Sequence, residues 1–65
     1  MNQMDAVFDY MKEHGSIDPL RALNDLGIMR LGARIFDLKA AGVQITGELR
    51  INRDTGKRWK EYRLG

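Results

Sequence analysis

Arg30 and Arg34 lie four residues apart, a spacing that places both guanidinium groups on neighbouring turns of a helix. A guanidinium group offers two parallel N–H donors, and this fork matches the two acceptors on the major-groove edge of guanine. Asp37 follows three residues later, where its carboxylate can accept from a cytosine amino group or pair with an arginine of its own helix. Helical spacing favours the intrahelical pair. These three side chains are the candidate base contacts.

A second group of cations lies near the end of the chain, around a polar segment. Its members are Arg53, Lys57, Arg58 and Lys60. Residues 1–28 carry a net charge of −3 and residues 29–65 a net charge of +5, within an overall charge of +2. A surface polarised in this way orients itself toward a polyanion, whereas the alternative is a set of solvated charges with no target. We take the four cations, together with Arg21, as candidate phosphate contacts.

The arginines need a helix to position them, and one is predicted from about Met29 to Ala41, ending at Gly42. An apolar stripe recurs along it at the spacing of one helix face: Leu31, Ile35 and Leu38. Neither Ile28 nor Met29 has a side-chain oxygen that could cap the first turn. The free backbone N–H groups could receive a phosphate, or be satisfied by water or a 3₁₀ turn.

A second apolar stripe lies on the other side of this helix and comprises Met29, Ala33, Phe36 and Ala40. Phe36 has three interpretations: it packs under the following segment as core, forms a protein interface that includes a homodimer, or contacts thymine methyls or sugars in a groove. Trp59 is a further candidate interface residue. Gly32 weakens the helix by roughly 1 kcal/mol relative to alanine, and it permits close approach by DNA or by a neighbouring helix.

Two further helices are predicted before this one. The first runs from Asn2 to His14, with Asn2 as its cap and Gly15 as its end. Asp18 followed by Pro19 signals the start of the second, which ends at Gly27. Its buried side is predicted to consist of Leu20, Ala22, Leu23 and Leu26, with Leu23 and Leu26 packing against Leu31 and Ile35, whereas Arg21, Asn24 and Asp25 face outward.

After Gly42 the apolar period changes from helical to alternating, which is typical of strands. Residues of one parity are apolar (Val43, Ile45, Leu49 and Ile51), and Gly47 between them predicts a bulge or bend. The run Asn52–Gly56 has the composition of a turn, with Gly56 at a position suited to positive φ. Alternation resumes from Arg58 to Leu64, with Tyr62 and Leu64 on one face. The segment is therefore predicted to be a β-hairpin with a basic tip.

Three stretches, GSIDPLRALNDLGIMRL (15–31), ARIFDLK (33–39) and EYRL (61–64), resemble the small winged helix-turn-helix domain family of bacteriophages and prophages. The resemblance covers nearly the whole chain. It implies an α+β fold in which residues 1–65 form one winged helix-turn-helix domain, three helices followed by a β-hairpin wing. It also implies a recognition helix at about 29–41 and a DNA-contacting wing at about 52–58. Phe36 departs from the family pattern, in which a polar or histidine side chain is expected.

The leading hypothesis is a DNA-binding protein of phage or mobile-element type, acting on double-stranded DNA as a transcriptional regulator or an architectural accessory factor. The alternative is a protein-binding module, a phage inhibitor or adaptor. Such a module would dock on a phage or host protein, or on a second copy of the chain, through Met29, Phe36 and Trp59, since aromatic anchors dominate protein interfaces. A decrease in binding with rising salt would distinguish phosphate contacts from an apolar interface.

Several other function classes find no support in the sequence. The chain has no cysteine, which excludes disulfides and thiolate metal sites. It also has no Ser-His-Asp set, no carboxylate cluster with metal spacing and no glycine-rich phosphate loop, so we expect neither catalysis nor a cofactor. No apolar run approaches the ~20 residues of a membrane span, and no signal-peptide pattern begins the chain. We therefore expect a soluble protein in the cytoplasm of a bacterial host cell.

Overall fold

A computed structural model describes residues 2–65 as three helices and three strands. Along the chain these are α1 (Gln3–His14), β1 (Ser16–Ile17), α2 (Pro19–Leu26), α3 (Leu31–Ala40), β2 (Ile45–Ile51) and β3 (Arg58–Leu64). The strands form one antiparallel sheet in the order β1-β3-β2. The predicted α+β class, three helices followed by a hairpin, is confirmed. The two-residue strand β1 adds a third strand to the hairpin.

Side-chain caps begin α1 and α2 as the sequence predicts. The Asn2 Oδ1 accepts from the Asp5 N–H at 2.8 Å, and the Asp18 Oδ1 accepts from the Arg21 N–H at 2.8 Å. Gly27 ends α2 with φ +69°, a left-handed conformation that glycine adopts without steric cost. The start of each helix and the end of α2 are therefore determined by interactions within a few residues of the chain.

The start of α3 differs from the prediction of a helix over residues 29–41. The helix begins at Leu31, because Arg30 has non-helical φ −114° and ψ +63° and forms the N-cap. No side chain caps this end, as the composition of the segment predicts. Met29 and Arg30 therefore lie in the turn between α2 and α3 and not in the first turn of α3, where the sequence predicts them.

All three helices and the sheet contribute to one core. Its ten buried hydrophobic residues are Val7, Tyr10, Met11, Ile17, Ala22, Ile28, Leu31, Ile35, Leu38 and Ile45. The predicted buried stripe of α3 is confirmed in full. Ile28, in the turn before α3, is also buried. The orientation of α3 is therefore fixed by core contacts of both the helix and the turn that precedes it.

The prediction for α2 is partly wrong. Ala22 is buried and Leu26 is partly buried, but Leu20 is 66% exposed and Leu23 is 46% exposed. Leu31 and Ile35 therefore do not pack against a buried Leu23. An eight-residue helix can rotate about its axis at little cost, since few of its own contacts resist this. Its rotation here follows from polar contacts with α1.

Those contacts converge on the hydroxyl of Tyr10, a residue that is only 8% exposed. The hydroxyl donates to Asp25 Oδ2 at 2.5 Å and accepts from Arg21 Nε at 3.1 Å. Arg21 Nη1 also donates to Ser16 Oγ at 3.1 Å. Asp25 and Arg21 were predicted to face outward, but both turn toward α1. Leu20 and Leu23 are displaced from the core as a consequence.

The free energy of unfolding should fall as the pH rises above about 10, because of Tyr10. The pKa of Tyr10 is raised, chiefly by the hydrogen bond to Asp25 and then by burial. The folded state thus binds the phenolic proton more tightly than the unfolded chain does. This stabilisation is complete below the ordinary pKa near 10 and is lost as the pH rises through the folded pKa. Denaturant unfolding of the parent and Tyr10→Phe across about pH 8–11 measures it, and an equal loss in both proteins would contradict it.

The hairpin is regular along its whole length, and the predicted bulge at Gly47 does not occur. Pairing runs without interruption from Ile45 opposite Leu64 to Ile51 opposite Arg58. Gly47 lies opposite Tyr62, and a Cβ there would stand 3.4 Å from the Tyr62 ring. The Tyr62 ring thus packs over Gly47 at van der Waals distance, and the strand does not bend there.

Candidate nucleic-acid interface

The solvent side of α3 presents few polar groups. We call four apolar residues outside its buried stripe the outer face of α3, with Asp37 among them and Arg34 at their edge: Gly32, Ala33, Phe36 and Ala40. Phe36 is 72% exposed, so its interpretation as core is wrong. The hairpin cannot cover it, because β3 packs on α1 and α2. The two other interpretations of Phe36, a protein interface and a groove contact, remain open to test.

Gly32 is open to solvent within this face. A Cβ built at this position would meet no atom of the described residues within 4 Å. The sequence left two partners for a close approach at Gly32, DNA or a neighbouring helix. No helix among residues 2–65 comes close enough to require the glycine, so nothing in the fold itself explains its presence.

Arg34 and Asp37 pair with each other along α3. Arg34 Nε lies 3.1 Å from Asp37 Oδ2, an ion-pair contact that lacks hydrogen-bond geometry. Arg34 Nη1 donates to Gln3 Oε1 at 3.2 Å and thereby ties α3 to the start of α1. The favoured interpretation of Asp37, a pair within its own helix, is confirmed. Base contacts by these two side chains stay a prediction, and they would compete with this pair.

Arg30 and Lys39 are both exposed and lie at opposite ends of α3. Neither forms an ion pair with any residue that the structure describes. Both side chains are thus available to a ligand on the solvent side of α3, in contrast to Arg34. The sequence singled out Arg30 but not Lys39, although the position of Lys39 in the last turn of a basic helix was a usable signal.

The hairpin tip, residues 52–58, is held in shape by its own hydrogen bonds. The Asn52 Oδ1 accepts from the N–H of Asp54 at 3.0 Å and from the N–H of Thr55 at 3.3 Å. The Gly56 N–H donates to the Asn52 carbonyl at 2.7 Å, and Gly56 has φ +75°. The predicted turn, with positive φ at Gly56, is confirmed. The conformation of the tip is therefore fixed by hydrogen bonds within the turn.

The four cations of the hairpin tip and the adjoining strand are exposed: Arg53, Lys57, Arg58 and Lys60. None forms an ion pair within the described part of the chain. Like charges that lie this close repel one another unless a polyanion neutralises them. Of the predicted phosphate contacts, these four are free to act, whereas Arg21 is engaged by Tyr10 and Ser16.

Further from the tip, the hairpin neutralises its own cations through Glu61, which sequence reasoning did not single out. Glu61 Oε1 lies 3.3 Å from Nη2 of Arg50 and 3.3 Å from Nη2 of Arg63. Glu48 adds a longer contact of 3.7 Å to Arg50. Only the strand register could have revealed the contact between Glu61 and Arg50, which joins two strands, because it places Glu48 and Glu61 directly opposite each other. Among the described residues of the hairpin, unpaired positive charge is thereby confined to the tip and to Lys60 in the adjoining strand.

An apolar groove of about 590 Å³ separates α2 from the hairpin tip. Its apolar walls are Pro19, Leu20, Leu23, Met29 and Trp59, and Lys57 and Arg58 lie on its rim. Met29 is 84% exposed and Trp59 is 36% exposed. The structure therefore brings together two of the three predicted interface residues, whereas Phe36 lies outside the groove. Leu20 and Leu23 were missed because they were assigned to the core.

Two further properties bear on the classes of function. None of the helices described is long and apolar enough to cross a membrane. Within residues 2–65, no three His, Asp or Glu side chains gather as a metal site would require.

Comparison with known proteins gives one match. A family model described as a winged helix-turn-helix domain matches residues 2–65. No curated protein and no solved structure matches the chain. The family match spans every element described above, from the cap of α1 to the end of β3.

Proposed function

The chain belongs to the winged helix-turn-helix domain family, and from this membership we propose that it binds double-stranded DNA. In this proposal α3 enters the major groove and the hairpin tip lies on the phosphates or in the minor groove. The role we favour is that of a transcriptional regulator or architectural accessory factor of a phage or mobile element, as the sequence resemblance suggests. No catalytic step is involved.

One observation carries the proposal: the division between paired and unpaired cations. Within residues 2–65, the arginines near the body of the domain are held by carboxylates or by Tyr10, whereas the cations of the hairpin tip and those flanking α3 form no ion pair. Unpaired cations favour binding to DNA phosphates, because each phosphate that they neutralise releases condensed counterions. A rigid tip adds to this, since its cations need little ordering on binding.

Removing two charges from the tip should weaken DNA binding regardless of base sequence. In the double variant Lys57→Gln/Arg58→Gln the fold should persist, because both side chains are exposed and unpaired. The slope of log affinity against log salt should flatten by about 0.9 for each phosphate that the variant no longer neutralises. Fluorescence anisotropy with a random-sequence duplex over a salt series measures both quantities.

The matched control is Arg50→Gln/Arg63→Gln, which removes the same charge from the same hairpin. Both of these arginines contact Glu61, so their replacement should change the salt slope much less. If the tip variant kept the affinity and salt slope of the parent, the hairpin would not be a DNA-contacting wing. α3 alone, or a protein partner, would then have to explain the domain.

The groove between α2 and the hairpin tip favours a second candidate, a protein-binding module acting as a phage inhibitor or adaptor or as a homodimer. Leu20, Leu23 and Met29 are large apolar side chains with nothing over them among residues 2–65. Exposed apolar patches of this kind mark interaction sites. Under this candidate, duplex DNA binds weakly even at low salt, whereas association with a protein persists at high salt.

A further inference from the structure

The outer face of α3 offers a base pair almost no hydrogen-bonding group. Gly32, Ala33, Phe36 and Ala40 have no polar side-chain atoms, and Arg34 and Asp37 beside them contact each other. In the major groove, bases are distinguished by donors, by acceptors and by the C5-methyl group of thymine. An apolar helix surface can use only the last of these. Phe36, 72% exposed, is the side chain on this face that projects furthest.

Gly32 independently indicates that a partner approaches this face closely. Glycine is less favourable than alanine inside a helix, so its presence calls for a compensating gain. No such gain lies within the fold, since a Cβ at Gly32 would meet no atom within 4 Å. Because Gly32 has no side chain, a binding partner can approach the backbone of α3 closely beside Phe36.

The positive charges at the two ends of α3 indicate that the partner of this face is a polyanion. Arg30 and Lys39 are exposed and unpaired among residues 2–65, with the apolar face between them. Measured along the axis of α3, the Arg30 N-cap and Lys39 lie roughly 13 Å apart, comparable with the roughly 12 Å width of the major groove. Two cations at that separation can lie at the two sides of a groove, and the apolar face between them then lies toward its floor.

We propose that the outer face of α3 recognises thymine C5-methyl groups in the major groove, with Phe36 as the principal contact and Gly32 permitting the close approach. The inference rests on the DNA-binding function proposed above and specifies its target. It adds a preference for thymine-bearing sites, read by apolar contact, to any base contact that Arg30 makes. The cations of the hairpin tip supply affinity without adding to that preference.

The test compares duplexes that differ only in the methyl group. One pair is a duplex of alternating A·T base pairs and the same duplex with uracil in place of thymine. A second pair is a G·C duplex with and without methyl groups at cytosine C5. The parent protein should bind the methyl-bearing member more tightly, by about fourfold for each methyl contacted. Phe36→Ala should lose most of this preference, and Gly32→Ala should bind every duplex more weakly while remaining folded.

Leu20→Ala is the matched control, because Leu20 is also exposed but lies on α2. It should keep the methyl preference of the parent. Equal binding of thymine and uracil duplexes by the parent would overturn the inference and leave DNA binding intact, whereas no binding to any duplex would overturn both. A Phe36→Ala variant that kept the preference, or that only lost self-association in sedimentation, would also overturn it and make this face a protein interface. Parent-like affinity of Gly32→Ala would contradict the close approach.

Discussion

Replacing Ile35 with alanine should lower the free energy of unfolding by about 2–5 kcal/mol. Ile35 is 3% exposed and lies in the core beside Leu31 and Leu38, where α3 packs on α1. Truncation removes buried methyl groups and leaves a cavity that a small domain cannot easily fill. Since domains of this size have little stability in reserve, the variant is expected to be largely unfolded at moderate temperature. Denaturant unfolding followed by circular dichroism measures the change.

Phe36→Ala is the control for this prediction, because it removes a larger side chain from the next position of the same helix. Phe36 is 72% exposed, so its truncation should change the free energy of unfolding by only about 0.5 kcal/mol or less. Two neighbouring truncations with opposite outcomes would establish which face of α3 is buried. If Ile35→Ala melted like the parent, α3 would not pack as described.

Arg30→Ala should weaken binding to a selected DNA site by about 1–3 kcal/mol and relax the preference at one base pair. Arg30 is the N-cap of α3, exposed and free of ion pairs with the residues described, so its guanidinium can reach a base without breaking an existing contact. Arg34→Ala should have a similar effect only if Arg34 leaves Asp37 and Gln3 on binding. Binding-site selection with the parent, followed by affinities for the selected and an unrelated duplex, measures both.

Lys12→Ala serves as the control, because Lys12 lies on α1 with its ammonium group over the Phe8 ring. It removes one positive charge away from the proposed interface and should leave both affinities nearly unchanged. Equal decreases in affinity for all duplexes would make Arg30 a phosphate contact instead of a base contact. Unchanged affinities for both arginine variants would favour the protein-binding candidate.

Local features of this protein could be predicted from its sequence with good fidelity. The caps at Asn2 and Asp18, the turn that begins at Asn52 and the positive φ of Gly56 all depend on interactions within a few residues. The buried stripe of α3 was also predictable, because three large aliphatic residues share one face of a ten-residue helix. Such features need no knowledge of distant partners, since the physical cause and its effect lie in the same stretch of chain.

The candidate site was only partly predictable. The cations of the hairpin tip were identified from composition alone, and the structure leaves them exposed. The hydrogen bond between Arg21 and Tyr10 could not be predicted, because Tyr10 lies eleven residues away on another helix. Glu61 was missed because its contact with Arg50 exists only through the register of the hairpin. Availability of a charge is a property of its neighbours in space, which spacing along the chain does not specify.

Tertiary structure alone decided which apolar side chains face solvent. Leu20 and Leu23 have the spacing of a buried stripe, but the hydrogen bonds of Tyr10 to Arg21 and Asp25 rotate α2 and leave both leucines exposed. Phe36 is exposed because the hairpin packs on α1 and α2 and leaves the outer face of α3 uncovered. An amphipathic pattern determines that one face of a helix is buried. When a short helix has apolar residues on two sides, the side that faces the core depends on the contacts that the helix makes with other elements of the fold.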